Sequence, residues 1–141
     1  PGIRLVWPAL TLDVLGPQHP PEHVDPDDGT QVNDGSTVLR ATTAVGTVLL
    51  TGDVEVAAQA QLLAAGVPLH ADVLKMPHHG GDTSLPELFP AVSPEVIAIS
   101  VGQPNPYGQP PMVPGTVMPN VPGGVPPPFV RPGGPGGPGG Q

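Results

Sequence analysis

The side chains best suited to chemistry are one aspartate and a pair of adjacent histidines. Asp53 follows an apolar run and a glycine, and its carboxylate could either cap a helix or bridge two divalent cations. His78 and His79 precede Gly80, and neutral imidazole is a common metal ligand. Because neighbouring side chains in an extended chain point in different directions, one histidine could face a metal while the other packs or hydrogen-bonds. The three side chains favour a metal or catalytic site but do not complete one; a polar loop with one structural histidine is the alternative.

The other histidines and an acidic cluster are weaker candidates. His19 and His23 lie in acidic, proline-rich sequence where we expect them to be solvated, and His70 lies in a link between a predicted helix and a predicted strand. The acidic cluster resembles part of a calcium loop but lacks the spaced glutamate and the helices of an EF-hand. It consists of Asp25, Asp27 and Asp28.

Composition limits the partners that the chain could bind unaided. With no cysteine, any metal must use His, Asp, Glu or water. The net charge of −8 and only four Lys and Arg residues argue against broad binding of a phosphate backbone, so a metal or another module would have to supply positive charge. No apolar run approaches the roughly 20 residues that span a bilayer. The start at Pro1-Gly2 leads us to expect an excised fragment.

Apolar patterning predicts the elements that position these residues. Short β-branched or alternating runs predict strands, and an Ala-, Leu- and Gln-rich segment predicts a helix with Asp53 as N-cap and Gly66 just past its end. A second helix is predicted over residues 85–92 with Ser84 as its cap, and residues 16–35 read as a long loop. The strands are predicted at 3–7, 11–15, 36–42, 47–51, 71–76 and 96–101, and the first helix at 54–65.

The alternation of strands and helices from residue 47 onward favours parallel strands joined by right-handed crossovers. In such sheets functional groups collect just beyond the carboxyl ends of the strands. Three loops take that position, and they hold most of the residues capable of chemistry: 51–53, 77–84 and 102–109.

Several sequence blocks resemble the extracytoplasmic metallo-β-lactamase-like domain of the ComEC competence proteins. The most specific are Thr51-Gly52-Asp53 and the block Lys75-x-x-His78-His79-Gly80, which a Ser-Val-Gly block follows. The likeness covers roughly residues 5–110, and its further matching segments are 33–40, 48–55 and 71–80, with Asn105 and Tyr107.

The resemblance implies an α/β fold, the second half of a metallo-β-lactamase αββα sandwich. Residues 1–109 would form this partial domain, and a disordered Pro/Gly-rich tail would follow over 110–141. It implies a soluble domain outside the cytoplasm in a polytopic membrane channel of the cell membrane, which takes up DNA during transformation. The partner would be DNA, with no small-molecule cofactor.

The resemblance also implies a metal-dependent nuclease, a hydrolase with two divalent ions, Zn or Mn, in the complete domain. Asp53 matches the family's metal-bridging aspartate, and His78 and His79 match its double histidine, in metal-binding or catalytic roles. The ions would lower the pKa of a bound water and stabilise charge on the phosphodiester.

Three departures from the family lead us to expect that this chain alone is inactive. The His-x-Asp-x-Asp-His block is absent, Gln109 stands where the family commonly has histidine, and the sequence then becomes Pro/Gly-rich. A reading-frame shift near residue 109 would explain both Gln109 and the Pro/Gly-rich sequence after it, and a genuine fused linker is the alternative. The alternatives are a non-catalytic remnant or binding module, and an interaction protein working through a polyproline II segment at 125–129.

Overall fold

A computed structural model describes residues 1–20 and 23–101, which form a mixed α/β fold around one six-stranded sheet. The strands lie in the sheet in chain order. They are β1 (Arg4–Trp7), β2 (Leu10–Gly16), β3 (Val38–Thr43), β4 (Gly46–Leu50), β5 (Val73–Lys75) and β6 (Val96–Ala98). The helices are α1 (Gly29–Asp34), α2 (Val56–Ala64) and α3 (Leu88–Val92), and Pro77–Gly80 forms a short 3₁₀ segment that we call the double-histidine turn.

The strand pairing changes from antiparallel to parallel within the sheet. The first four strands pair antiparallel, and a two-residue connection joins β3 to β4 where Thr43 lies opposite Gly46. The β4–β5 and β5–β6 pairs are parallel, with α2 and α3 as their crossovers. The predicted hairpin and the predicted parallel unit are therefore both confirmed, and the carboxyl ends of β4, β5 and β6 meet at one edge.

One face of the sheet is covered by the helices and forms the core. Leu49 and Leu74 are fully buried at its centre, next to each other in register. Burial of each such side chain contributes about 1.5–3 kcal/mol. From the helices and connections, the core receives Val54, Ala58, Leu62, Leu69, Ala71, Leu88 and Val92.

The opposite face, which we call the open face, is also apolar but is not buried. Residues paired across strands point to the same side, so the register defines a continuous row of side chains over all six strands. None of these residues is buried within the described structure, and Leu5 is 45% and Leu50 39% exposed. The row comprises Leu5, Leu12, Ala41, Val48, Val73 and Val96, and Val14, Leu39 and Leu50 lie beside it.

Three local predictions were wrong. The segment expected to be a loop contains α1, which Asp28 caps by accepting a hydrogen bond from the backbone N–H of Gln31 at 3.2 Å. Asp53 is not the cap of α2, because Gly52, at φ +59°, turns the chain and the helix begins only after Glu55. Ser84 does not cap α3, whose N-cap is Glu87.

The predicted end of α2 is confirmed, since Gly66 adopts φ +62° directly after the last turn. Over residues 1–20 and 23–101, no helix has the length and apolar character needed to cross a membrane. The third predicted loop (102–109), Gln109, and the tail 110–141 lie outside the described residues.

Candidate functional site

The turn after β4 and the double-histidine turn after β5 lie side by side. Buried Thr51 donates its hydroxyl to the carbonyl of Lys75 at 2.8 Å, which ties the two strand ends together. The backbone N–H of His78 donates to the carbonyl of Gly52 at 3.3 Å. Asp53 and the two histidines are therefore brought together at the carboxyl edge, as the strand order predicts.

His79 directs one ring nitrogen at Asp53. Its Nε2 lies 3.5 Å from Oδ1 of Asp53, and its Nδ1 lies 2.7 Å from the carbonyl oxygen of Ser100. The Ser100 hydroxyl lies 3.2 Å from the same Nδ1. A carbonyl only accepts, so the shorter contact is a hydrogen bond when Nδ1 carries the proton, and the neutral ring in that tautomer has its lone pair on Nε2. In this tautomer Nε2 of His79 and Oδ1 of Asp53 are both electron-pair donors, and a proton or a metal cation could bind between them.

Lys75 is the cation of this cluster. Its Nζ lies 3.2 Å from Oδ1 of Asp53 and donates to the carbonyl of Gly52 at 2.7 Å. The side chain is mostly buried, with 23% of its surface exposed, so the charge is held in place. Sequence reasoning gave Lys75 no role of its own, although its fixed position before the two histidines was the available signal.

His78 faces away from Asp53, toward the start of α2. Its Nδ1 lies 3.4 Å from Oε1 of Glu55 and 3.3 Å from the hydroxyl of Thr83. The two adjacent histidines thus have different surroundings, but not for the predicted reason, because the chain here is a 3₁₀ turn and not extended. Both have a left-handed backbone, with φ of 44° for His78 and 55° for His79, a conformation that is costly for residues other than glycine.

Glu55 is a second residue that sequence reasoning missed. It is only 8% exposed, and its carboxylate accepts hydrogen bonds from the Asn33 amide at 2.7 Å and the Thr30 hydroxyl at 3.2 Å. Its own backbone N–H donates to the carboxylate of Asp34 at 2.7 Å. The signal available was Glu55 itself, a charged residue at the start of an apolar helix, two residues after Asp53 of the Thr-Gly-Asp block.

The segment 33–36, with the sequence Asn-Asp-Gly-Ser, extends from the end of α1 to the turn that holds Asp53. The hydroxyl of Ser36 accepts a hydrogen bond from the backbone N–H of Asp53 at 3.2 Å. A Cβ added to Gly52 would lie 2.7 Å from Cβ of Ser36, so the two segments are in close contact. Three separated sequence blocks therefore converge on one site.

His70 lies at the opposite edge of the sheet. Its carbonyl accepts a hydrogen bond from Arg40 at 2.8 Å, and its ring is close enough to Asp72 to help lower the pKa of that carboxyl group. The larger cause is Thr47, whose backbone N–H and hydroxyl donate to Asp72 at 2.6 Å and 2.9 Å. This edge holds the amino ends of β4 and β5, and the site lies at their carboxyl ends.

The acidic cluster contributes to local folding. Asp28 caps α1, and the carboxylate of Asp25 accepts a hydrogen bond from the backbone N–H of Asp27 at 3.0 Å. These contacts are typical of turns and helix starts.

The donor set is incomplete for a metal. Asp53 and His79 provide two suitable atoms on facing side chains, which fits the start of a coordination sphere. Across residues 1–20 and 23–101, however, no cluster of three or more His, Cys, Asp or Glu side chains is placed to hold an ion.

Fold and site together define a mixed α/β protein with an Asp-His-Lys cluster at the carboxyl ends of parallel strands. The chain is 34% identical over 109 residues to competence protein ComA of Neisseria gonorrhoeae, a match covering 76% of this chain. It is 33% identical over 102 residues to ComE operon protein 3 of Bacillus subtilis, and 34% identical over 102 residues to recombination protein 2 of Haemophilus influenzae, each match covering 72% of this chain.

These matches cover 15%, 12% and 12% of the respective relatives, so the chain corresponds to a small part of much longer proteins. They support a relationship to competence proteins of the ComEC type. No protein-family model and no solved structure matches the chain.

Proposed function

We propose that this chain is the second half of a metallo-β-lactamase-like domain that hydrolyses DNA phosphodiesters during DNA uptake, in a ComEC-type protein of the cell membrane. The observation that carries the proposal is the facing pair of Asp53 Oδ1 and His79 Nε2, with Nδ1 of His79 in contact with the Ser100 carbonyl. A metal-ligating histidine almost always donates its other N–H to a carbonyl or carboxylate in this way. The three competence-related relatives supply the DNA-uptake context.

The charge distribution supports a role for a metal. Of the four Lys and Arg side chains in the sequence, Arg4 is paired with Asp13, Arg40 bonds a backbone carbonyl, and Arg131 lies outside the described residues. Lys75 is the cation held at the site, beside Asp53. One lysine among so many carboxylates cannot attract a polyanion, so a bound metal would have to provide most of the positive charge.

The residues present would divide the work as follows. Asp53 and His79 would hold a divalent ion such as Zn or Mn, and a complete domain with the missing ligands would hold two. Lys75 would keep the Asp53 carboxylate and the Gly52 carbonyl fixed, with its ammonium facing the anionic substrate. When bound, the metal would supply an activated water and electrostatic stabilisation of the phosphoryl oxygens.

The open face supports the proposed sandwich. A continuous apolar face across six strands is normally covered, because an exposed apolar patch of that kind is costly in a monomer. In an αββα sandwich, a second sheet packs face to face at about 10 Å. We propose that the first half of the domain, in the longer protein, supplies that sheet together with the remaining ligands.

The proposal is tested with the longest protein encoded around this chain, assayed for hydrolysis of DNA with Mn²⁺ or Zn²⁺. Asp53→Ala and His79→Ala should each lower the rate by at least about 10²-fold, as expected for loss of a metal ligand. Asp82→Asn, which removes an exposed carboxylate from the same loop, should leave the rate unchanged. Equal activity of wild type and Asp53→Ala would exclude the proposed site.

One observation favours a second candidate, a binding module or remnant that keeps the fold without the chemistry. The Lys75 ammonium already neutralises the Asp53 carboxylate, and two metal donors are fewer than the three protein ligands of a catalytic zinc site. If the chain is such a binding module, the longest protein encoded around it (the extended protein) would bind DNA or another partner without metal-dependent cleavage. His79→Ala would then leave binding unchanged.

A further inference from the structure

We propose that Glu55 is a positioning residue: through its contact with His78 it holds the double-histidine turn in the conformation that presents His79 to Asp53. The turn needs such an anchor because two consecutive non-glycine residues there adopt left-handed backbone angles. This conformation persists only where surrounding contacts impose it.

Beyond the contacts of His79 with Ser100 and Asp53, few contacts within the described residues are available to impose it. The backbone N–H of His78 reaches Gly52 at a long 3.3 Å, and the N–H of Gly81 bonds back to the carbonyl of His78 at 2.9 Å. The His78 ring adds the contacts to Glu55 and Thr83. Of these partners, only Glu55 carries a charge. Nδ1 of His78 is hydrogen-bonded to the Thr83 hydroxyl, and the Glu55 carboxylate lies within ion-pair distance of the same atom, where it stabilises a proton on Nδ1 electrostatically.

Glu55 is itself held in place from several directions. Its carboxylate receives Asn33 on Oε1 and Thr30 on Oε2, and its backbone N–H is bound by Asp34. Oε1 also faces Nδ1 of His78 at 3.4 Å. A buried carboxylate with fixed donors has little freedom to move, so it can fix the histidine ring that faces it.

The arrangement assigns opposite roles to the two histidines. Both direct Nδ1 at an oxygen of the protein, a carboxylate for His78 and the Ser100 carbonyl for His79. The Nε2 of His79 then faces Asp53, and His78 serves to fix the turn. Within the proposed function, Glu55 therefore sets metal affinity without itself touching the metal.

The first test measures the tautomers of the histidine rings in the 141-residue chain by long-range ¹H–¹⁵N correlation NMR, with imidazole neutral and no metal added. His78 should carry its proton on Nδ1, and Glu55→Gln should reduce that preference because an amide is a weaker acceptor. Asn33→Ala is the matched control, because it removes one hydrogen bond between α1 and Glu55 and leaves the contact with His78. It should keep the wild-type tautomer.

Two results would overturn the proposal. One is a wild-type protein in which the neutral His78 ring carries its proton on Nε2. This result is obtained without any variant, so it decides the question even if Glu55→Gln fails to fold. The other is an equal change in Glu55→Gln and Asn33→Ala, which would make Glu55 an anchor of α1 alone.

The effect of Glu55 on metal affinity rests on the proposed function. A second measurement therefore tests the positioning role and the proposed function separately. In the extended protein, Glu55→Gln should weaken Mn²⁺ binding by about 10-fold, as is typical when a residue supporting a ligand is lost. If the wild type binds no Mn²⁺ but the tautomers are as expected, the proposed function fails and the positioning role remains. Unchanged Mn²⁺ affinity in Glu55→Gln would refute the positioning role.

Discussion

Nε2 of His79 and Oδ1 of Asp53 face each other at 3.5 Å, across the gap between two parallel strand ends. In the neutral tautomer with the proton on Nδ1, which donates to the Ser100 carbonyl, neither atom donates a hydrogen bond to the other. A cation between them would satisfy both. Lys75 already satisfies the carboxylate in part, from 3.2 Å.

The Thr-Gly-Asp turn should tolerate no side chain on its glycine. Gly52→Ala places a methyl group 2.7 Å from Cβ of Ser36 in a left-handed backbone, and we expect it to cost about 2–4 kcal/mol of the free energy of unfolding. Gly66→Ala is the matched control: its φ is similar, but nothing lies within 4 Å of the added Cβ, so the cost should be about 1–2 kcal/mol. Chemical denaturation measures both, and equal costs would show that the contact with Ser36 is unimportant.

Gln59 should be a strong determinant of stability despite being polar. It is fully buried, donates to the carbonyls of Val54 and Thr83 at 2.8 Å and 3.1 Å, and accepts from the N–H of Leu85 at 2.7 Å. Gln59→Leu would leave these buried backbone groups without partners, at a cost of about 3 kcal/mol. Denaturation with urea measures the loss; a variant as stable as the wild type would show that water replaces the side chain.

Stability should fall in acid through two carboxylates. Arg4, by hydrogen bonding first and by charge second, lowers the pKa of Asp13, and Thr47 lowers the pKa of Asp72 below the ordinary 3.8. Because the folded-state pKa is the lower one, their contribution is complete above pH 3.8 and is lost as the pH falls through the folded-state values. Asp13 is bonded to an exposed arginine, so its effect is reduced by solvent screening.

The measurement for this prediction is the free energy of unfolding as a function of pH. The wild type should lose stability steeply below pH 3.8, and the double variant Asp13→Asn/Asp72→Asn should be less stable at neutral pH with a flatter acid limb. Identical slopes in the two proteins would contradict the assignment.

The single tryptophan reports on the open face. Trp7 is 50% exposed and lies opposite Leu10 at the end of β1, on the side of Leu5. In the 141-residue chain we expect red-shifted emission, ready quenching by acrylamide, and binding of apolar dyes to the open face. In the extended protein, emission should shift to the blue and quenching should fall. Equal quenching in both would show that no second sheet covers this face.

Sequence patterning predicted the sheet because strands β3 to β6 differ clearly in period and composition from the helices between them. It missed α1, since Gly29–Asp34 has no apolar periodicity and is held by the Asp28 cap and by contacts with Glu55. It misplaced the start of α2 because Asp53 resembles an N-cap locally, and only the turn at Gly52 and the contacts with Lys75 and His79 direct it elsewhere.

The candidate site was predictable in part, because the predicted strand order places its loops at one edge of the sheet. Strand order alone brings Asp53 to the double-histidine turn. The division of roles between His78 and His79 depends on contacts with Glu55 and Ser100, which are distant in sequence. No local pattern encodes those contacts.

The most direct test of the central claim is a titration with Mn²⁺ of the extended domain, in which the first half supplies the remaining ligands, followed by paramagnetic broadening of NMR signals. We predict that the ring of His79 and the backbone around Asp53 broaden first, and that Asp53→Ala abolishes this selectivity. A control variant, Asp82→Asn, should broaden like the wild type. If broadening instead begins at the acidic cluster of Asp25, Asp27 and Asp28, or is uniform along the chain, Asp53 and His79 do not form a metal site.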